Sequence, residues 1–160
     1  MIVVSDTTPI SELVKVGRLT LLRDLFRYII IPNEVYNELI TGTHPAATVV
    51  QSINWIEVCS VSDRQKVSDI HTATGLGLGE CAAFVLAEEL GADRMLLDDR
   101  TARREARTRN VPVIGTIGIL LLAKQQSLIP SVKDVLDALM TQGTRISQKL
   151  YQDALTVAQE

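Results

Sequence analysis

Carboxylates stand at four places where one crevice would collect them: Asp6, Glu38, Glu80 and the pair Asp98-Asp99. Asp6 closes a segment that opens with the apolar run Ile2-Val3-Val4, and Asp98 ends Met95-Leu96-Leu97. Both runs read as short buried strands. In an open α/β sheet, ligands bind in a crevice outside the carboxyl ends of the strands. Two acids at two such ends are therefore predicted to face one shared pocket. Clustered carboxylates repel one another, so a site that keeps them ionised calls for a divalent cation. An oxygen-only donor set selects Mg²⁺ or Mn²⁺ over zinc or copper. The two histidines, His44 and His71, lack a partner motif, and neither supports a nucleophile–base pair. The inventory points to metal-assisted phosphoryl chemistry.

Each acid also has a plainer reading. Asp6 precedes Thr7-Thr8-Pro9, where Asp favours an N-cap or Asx-turn role. Glu38, like Glu34 one turn earlier, would suit the solvated flank of a helix. Glu80 stands in the first turn of a helix otherwise apolar all round, where the helix dipole favours a carboxylate but burial does not. Of the adjacent acids, one is expected to cap the helix over 100–109 and the other to remain free.

Short β-type runs alternate with helical patterns, the signature of a mostly parallel sheet with helices on both faces. Strands are predicted at 2–5, 28–31, 54–58, 95–98 and 112–115. Helices are expected from about Pro9 to Gly17, at 19–26, from Pro32, in a short stretch to about Ser52, and near 63–72. Further helices follow at 80–90, 100–109, 116–126, 131–141 and 147–159. Cys81 to Ala87 is apolar on every side, so its helix should be buried on both flanks. The predicted fold is a three-layer α/β/α domain with about five strands, and no repeat or linker divides residues 1–160.

At 160 residues with 46% hydrophobic side chains, the chain has ample material for one core. No apolar run is long enough for a transmembrane helix, and the start reaches an acid at once without a basic leader, so no signal peptide is expected. Cys59 and Cys81 read as small hydrophobes, and without a Cys-x-x-Cys pair no structural zinc site is predicted. A net charge of −3 argues against a surface coated for nucleic acid. Residues 94–109, however, hold six arginines against three acids. On a helix over 100–109, Arg100, Arg103, Arg104 and Arg107 fall at i, i+3, i+4 and i+7, forming one face. That face is either a solvated surface or a grip on a phosphate backbone.

The chain resembles the PIN-domain family of metal-dependent ribonucleases over nearly its whole length. The carriers are Val4-Ser5-Asp6-Thr7-Thr8-Pro9, Ile31-Pro32-x-x-Val35-x-x-Glu38-Leu39, Gly77-Leu78-Gly79-Glu80 and Leu96-Leu97-Asp98-Asp99-Arg100. The resemblance implies catalytic acids at Asp6, Glu38, Glu80, Asp98 and Asp99, with Asp6, Glu38, Glu80 and Asp99 as Mg²⁺ or Mn²⁺ ligands. Thr7, Thr8 or Ser11 would offer a hydroxyl near the metal or a phosphate; beside such a site the arginine stripe, by its charge alone, would let Arg100, Arg103 and Arg107 hold RNA. It further implies a cytoplasmic, dimeric protein and, for toxin-like members, a small antitoxin partner. Two departures stand out. Toxin-like members usually carry Thr-Asn-Asp where this chain has Leu97-Asp98-Asp99, and Asp where it has Glu80.

Gly75-x-Gly77-x-Gly79 is a poor dinucleotide loop, because no predicted strand precedes it and the spacing is wrong. A dehalogenase-like phosphatase would want a second acid two residues after Asp6, where Thr8 stands. The different-class alternative is a PIN-fold binding or interaction protein that no longer cleaves.

Overall fold

The computed structural model describes residues 1–41 and 43–160. Five short strands form one all-parallel sheet: β1 (Val3–Ser5), β2 (Ile29–Pro32), β3 (Ile56–Cys59), β4 (Arg94–Leu96) and β5 (Val113–Ile114). Their order across the sheet is β3-β2-β1-β4-β5. The chain winds outward from β1 to β3, then returns to place β4 on the other side of β1. The order therefore reverses between β1 and β4, which is where an open sheet of this kind leaves a crevice.

Ten helices are seen among the described residues: α1 (Thr7–Lys15), α2 (Thr20–Phe26), α3 (Asn33–Ile40), α4 (Ala47–Ser52), α5 (Arg64–Thr74), α6 (Leu78–Leu90), α7 (Arg100–Thr108), α8 (Thr116–Gln125), α9 (Val132–Thr141) and α10 (Gln148–Ala158). Alternation along the strands divides the core in two. Val3 and Leu96 point into one layer with Ile10, Leu13, Leu22, Ile119 and Leu136. Val4, Met95 and Leu97 point into the other with Phe84, Val85, Ala102 and Ala106. Side chains with a period of two, buried on both faces, make the sheet the middle of three layers. The predicted α/β/α architecture is what the chain adopts.

Helix α6 is the most buried helix, with Cys81 to Ala87 all at or below 3% exposure. An apolar surface on all sides leaves it no solvated face, and α3 and α5 pack against it. It ends where Gly91 takes the left-handed conformation at φ 60°. Helix α1 starts two residues before Pro9, which sits inside the first turn, where its missing N–H costs nothing. Both cysteines are free. No described helix is long and apolar enough to cross a membrane.

Candidate metal centre and nucleic-acid interface

The β1–β4 register pairs Ser5 with Leu96, so the acids that follow leave the sheet from neighbouring strands. The Asp6 N–H still donates to the Leu96 carbonyl at 3.0 Å, which holds Asp6 in line with the sheet. Asp6 occupies the N-cap position of α1, yet its side chain caps nothing. It is only 5% exposed. Burial, reinforced by Glu80, Glu38 and Asp98, pushes its pKa up to about 7, and only the Thr7 backbone N–H works the other way.

A crevice of about 580 Å³ opens beside it, lined by Asp6, Thr8, Glu38, Gly77, Glu80 and Asp99 together with Thr74, Gly75, Leu76 and Thr101. Glu38 reaches it from α3, where Val35 and Leu39 turn inward and leave Glu38 on the flank beside them. The Thr7 hydroxyl donates to Glu38 Oε2 at 2.6 Å and steadies it. Glu34, one turn earlier, instead meets Arg64 Nη1 at 2.9 Å. Glu80 enters from the first turn of α6, where its Oε1 accepts the Gly77 N–H at 3.2 Å. Burial raises its pKa, and Asp99 and Glu38 add to the rise.

The adjacent acids divide differently from expectation, since neither is left free. Asp99 caps α7, its Oδ2 accepting the Ala102 N–H at 2.8 Å, while it still borders the crevice. Asp98 receives the Thr116 N–H at 2.7 Å on Oδ1 and the Thr116 hydroxyl at 2.6 Å on Oδ2. It thereby ties the end of β4 to the start of α8 and does not line the crevice. Burial raises its pKa, against the pull of the Thr116 bonds. Thr116 escaped the sequence reading. The Gly115-Thr116 strand-to-helix junction, placed like Asp6-Thr7, was the signal.

Ser11 also lies outside the crevice, 3.2 Å from His44 Nε2. His44 Nδ1 accepts the Ala46 N–H at 3.0 Å, so the neutral ring carries its proton on Nε2 and donates to Ser11. The ring cannot take a proton from that hydroxyl, and the pair is no nucleophile with its base. His71 is occupied by the Leu76 carbonyl at 2.6 Å. The Gly75-x-Gly77-x-Gly79 segment joins two helices and follows no strand.

Next to the acids, Arg100, Arg103, Arg104 and Arg107 line a cleft of about 450 Å³ with Asp98 and Leu150. None of the four has a carboxylate within ion-pair distance among the described residues, whereas Arg109 is paired with Glu88 and Glu105 at 3.0 Å. A larger groove of about 640 Å³ runs past Arg94 and Ile114 between α8 and the end of α10; it has no acid in its lining.

The donor chemistry fits a hard cation: every side chain offered is a carboxylate or hydroxyl oxygen, and the most buried one, Asp6, has its ionised form disfavoured by burial and by the neighbouring acids. As placed, the acids line the crevice without closing on a point. No three His, Cys, Asp or Glu side chains among the described residues form a group that could hold an ion. No curated protein matches the chain. A family model described as a PIN domain matches residues 2–160. The crevice at the strand-order reversal and that match agree, and the chain belongs to the PIN-domain family, whose members are generally metal-using nucleases.

Proposed function

We propose that this chain is a Mg²⁺- or Mn²⁺-dependent endoribonuclease, acting as one domain over residues 1–160. The observation that carries the reading is Asp6, a nearly buried carboxylate whose pKa is pushed to about 7 among three other acids. A cation would favour the ionised form against both burial and the neighbouring acids, where the protein itself offers Asp6 only the Thr7 N–H. Asp6, Glu38, Glu80 and Asp99 would hold it. A bound divalent ion supplies an activated water and stabilises charge on the leaving oxygen of a phosphodiester. Thr7 orients Glu38 through its hydroxyl, Thr8 stands at the crevice wall, and Asp98 acts as a positioning residue that pins α8 to β4. The free arginine face of α7 would draw the RNA backbone to an otherwise acidic protein. No side chain need serve as nucleophile, which agrees with the tautomer of His44.

The test is Mn²⁺-dependent cleavage of RNA by the wild type and by Asp6→Asn, Glu80→Gln and Asp99→Asn. Cleavage by all three at the wild-type rate would refute the assignment. The reading extends to a cytoplasmic homodimer acting as the toxin of a toxin–antitoxin pair. Growth arrest on expression, relieved by a small protein encoded beside it, would support that extension.

A second reading has its own support. The acids do not converge on an ion as placed, and two of them are already engaged, Asp99 as the cap of α7 and Asp98 by Thr116. A PIN-fold binding protein that no longer cleaves would look this way. Calorimetric titration with Mn²⁺ separates the two, since only the nuclease needs a site that fills.

A further inference from the structure

Between the acid crevice and the arginine cleft lies a third pocket, of about 280 Å³. It shares Thr8 with the crevice, and Asp98 and Leu150 with the cleft. The three therefore form one continuous track past the carboxyl ends of β1 and β4. Ile117, Leu139, Ile146 and Leu150 give the middle pocket apolar walls, while Glu12, Asp98, Thr116 and Thr144 supply oxygen atoms. Its volume lies just below the range for ligand pockets, roughly 300–1,000 Å³, which suits one flat ring system better than a whole nucleotide. Leu150, 47% exposed on α10, stands at the boundary of this pocket and the arginine cleft and lines both. Exposed Arg145 stands among the lining residues and has no ion pair among the described residues.

We infer that this pocket seats one nucleobase of the strand being cut, next to the phosphate held at the acids, while the following backbone lies along the arginines. The inference rests on the nuclease reading of the crevice and adds a base preference to it. Glu12 and Asp98 are held in place by their neighbours. Glu12 is held by Lys15 at 2.8 Å and by the Thr144 hydroxyl, and Asp98 by Thr116 at 2.6 and 2.7 Å. Each carboxylate has about four lone-pair sites, so both still accept hydrogen bonds from a ligand. Fixed acceptors pair with exocyclic amines, as Glu and Asp do with the cytosine amino group. Uracil has no exocyclic amine and offers only its single N3–H, flanked by two carbonyl oxygens that face the acids unfavourably. The pocket thus favours cytosine, adenine or guanine over uracil. The lining holds no aromatic residue, so its apolar side chains would take the place of a stacking platform, as in other sites that hold a base outside its stack.

The experiment compares short oligoribonucleotides made only of uridine with ones carrying a single cytidine, adenosine or guanosine. Mn²⁺-dependent cleavage and fluorescence-anisotropy binding are both measured. The expected result is cutting next to the amine-bearing base and a preference of about tenfold over uridine-only strands. Glu12→Gln should shrink that preference, with folding checked by circular dichroism. Leu150→Ala, at an exposed position and without a change of charge beside the arginines, should shrink the same preference and serves if Glu12→Gln fails to fold. Equal cleavage of all strands, or a preference for uridine, overturns the base pocket and leaves the nuclease reading standing. A preference untouched by either substitution overturns its placement here. No binding or cleavage of any strand overturns the nuclease reading and this inference together.

Discussion

Gly79, in the first turn of α6, lies directly against the Glu38 carboxylate of α3. A Cβ at position 79 would collide with Glu38 Oε1 and stand 3.0 Å from Cδ and 3.1 Å from Oε2. The glycine is thus the floor on which one acid of the crevice rests. At Gly77 a Cβ would meet only Glu80 Oε1, at an ordinary 3.5 Å.

Gly79→Ala is therefore expected to displace Glu38 and lower Mn²⁺-dependent cleavage on the order of tenfold to a hundredfold. Stability should change little, because alanine gains about 1 kcal/mol of helix propensity over glycine, which offsets part of the clash. Gly77→Ala should retain most activity. Cleavage rates and melting temperatures of the two variants, measured side by side, decide it.

Asp6 makes stability depend on pH in a definite direction. Its folded pKa of about 7 lies above the ordinary 3.8, so the folded protein favours the protonated acid. The stability that Asp6 contributes is full below about pH 4, falls as pH rises between about 4 and 7, and stays lost above that. In EDTA, Asp6→Asn should melt higher than wild type at pH 8, by no more than a few kcal/mol of stability, and match it at pH 4. Saturating Mn²⁺ should raise the wild-type melting temperature at pH 8 and leave the variant nearly unmoved. A wild-type protein more stable than the variant in EDTA at pH 8 would contradict this.

The two glutamates of α3 should separate cleanly. Glu38 lines the crevice, while Glu34 is paired with Arg64. Glu38→Gln is expected to weaken Mn²⁺ binding by about tenfold or more. Glu34→Gln should leave it unchanged and cost about 1 kcal/mol of stability or less. Calorimetric titration of both variants provides the measurement, and equal losses would place the metal elsewhere.

The arginine cleft predicts a salt effect. Each phosphate neutralised on a single strand contributes about −0.7 to the slope of log affinity against log salt. Arg103→Ala combined with Arg107→Ala should flatten that slope by about 1.4 and weaken binding across all sequences. Mn²⁺ affinity should hold. An unchanged slope would return these arginines to the role of a solvated helix face.

Local pattern in the sequence determined the five strands, the ten helices and the α/β/α layering. The reason is that burial on both faces of a parallel sheet and the 3.6-residue stripe of a helix are written in neighbouring residues. The positions of Asp6 and Asp98 at strand ends, and the single arginine face of residues 100–107, were legible for the same reason. Only tertiary structure decided how the acids are used. Asp98 and Asp99 are adjacent in sequence, yet one is bound by Thr116, 18 positions away, and the other turns back to cap its own helix. Ser11 meets His44 across 33 positions, and Gly79 meets Glu38 across the packing of α6 on α3. Such contacts depend on how whole elements rotate and pack, which no local period encodes. The pocket between the acids and the arginines exists only because α1, α8, α9 and α10, each ordinary in its own pattern, converge there.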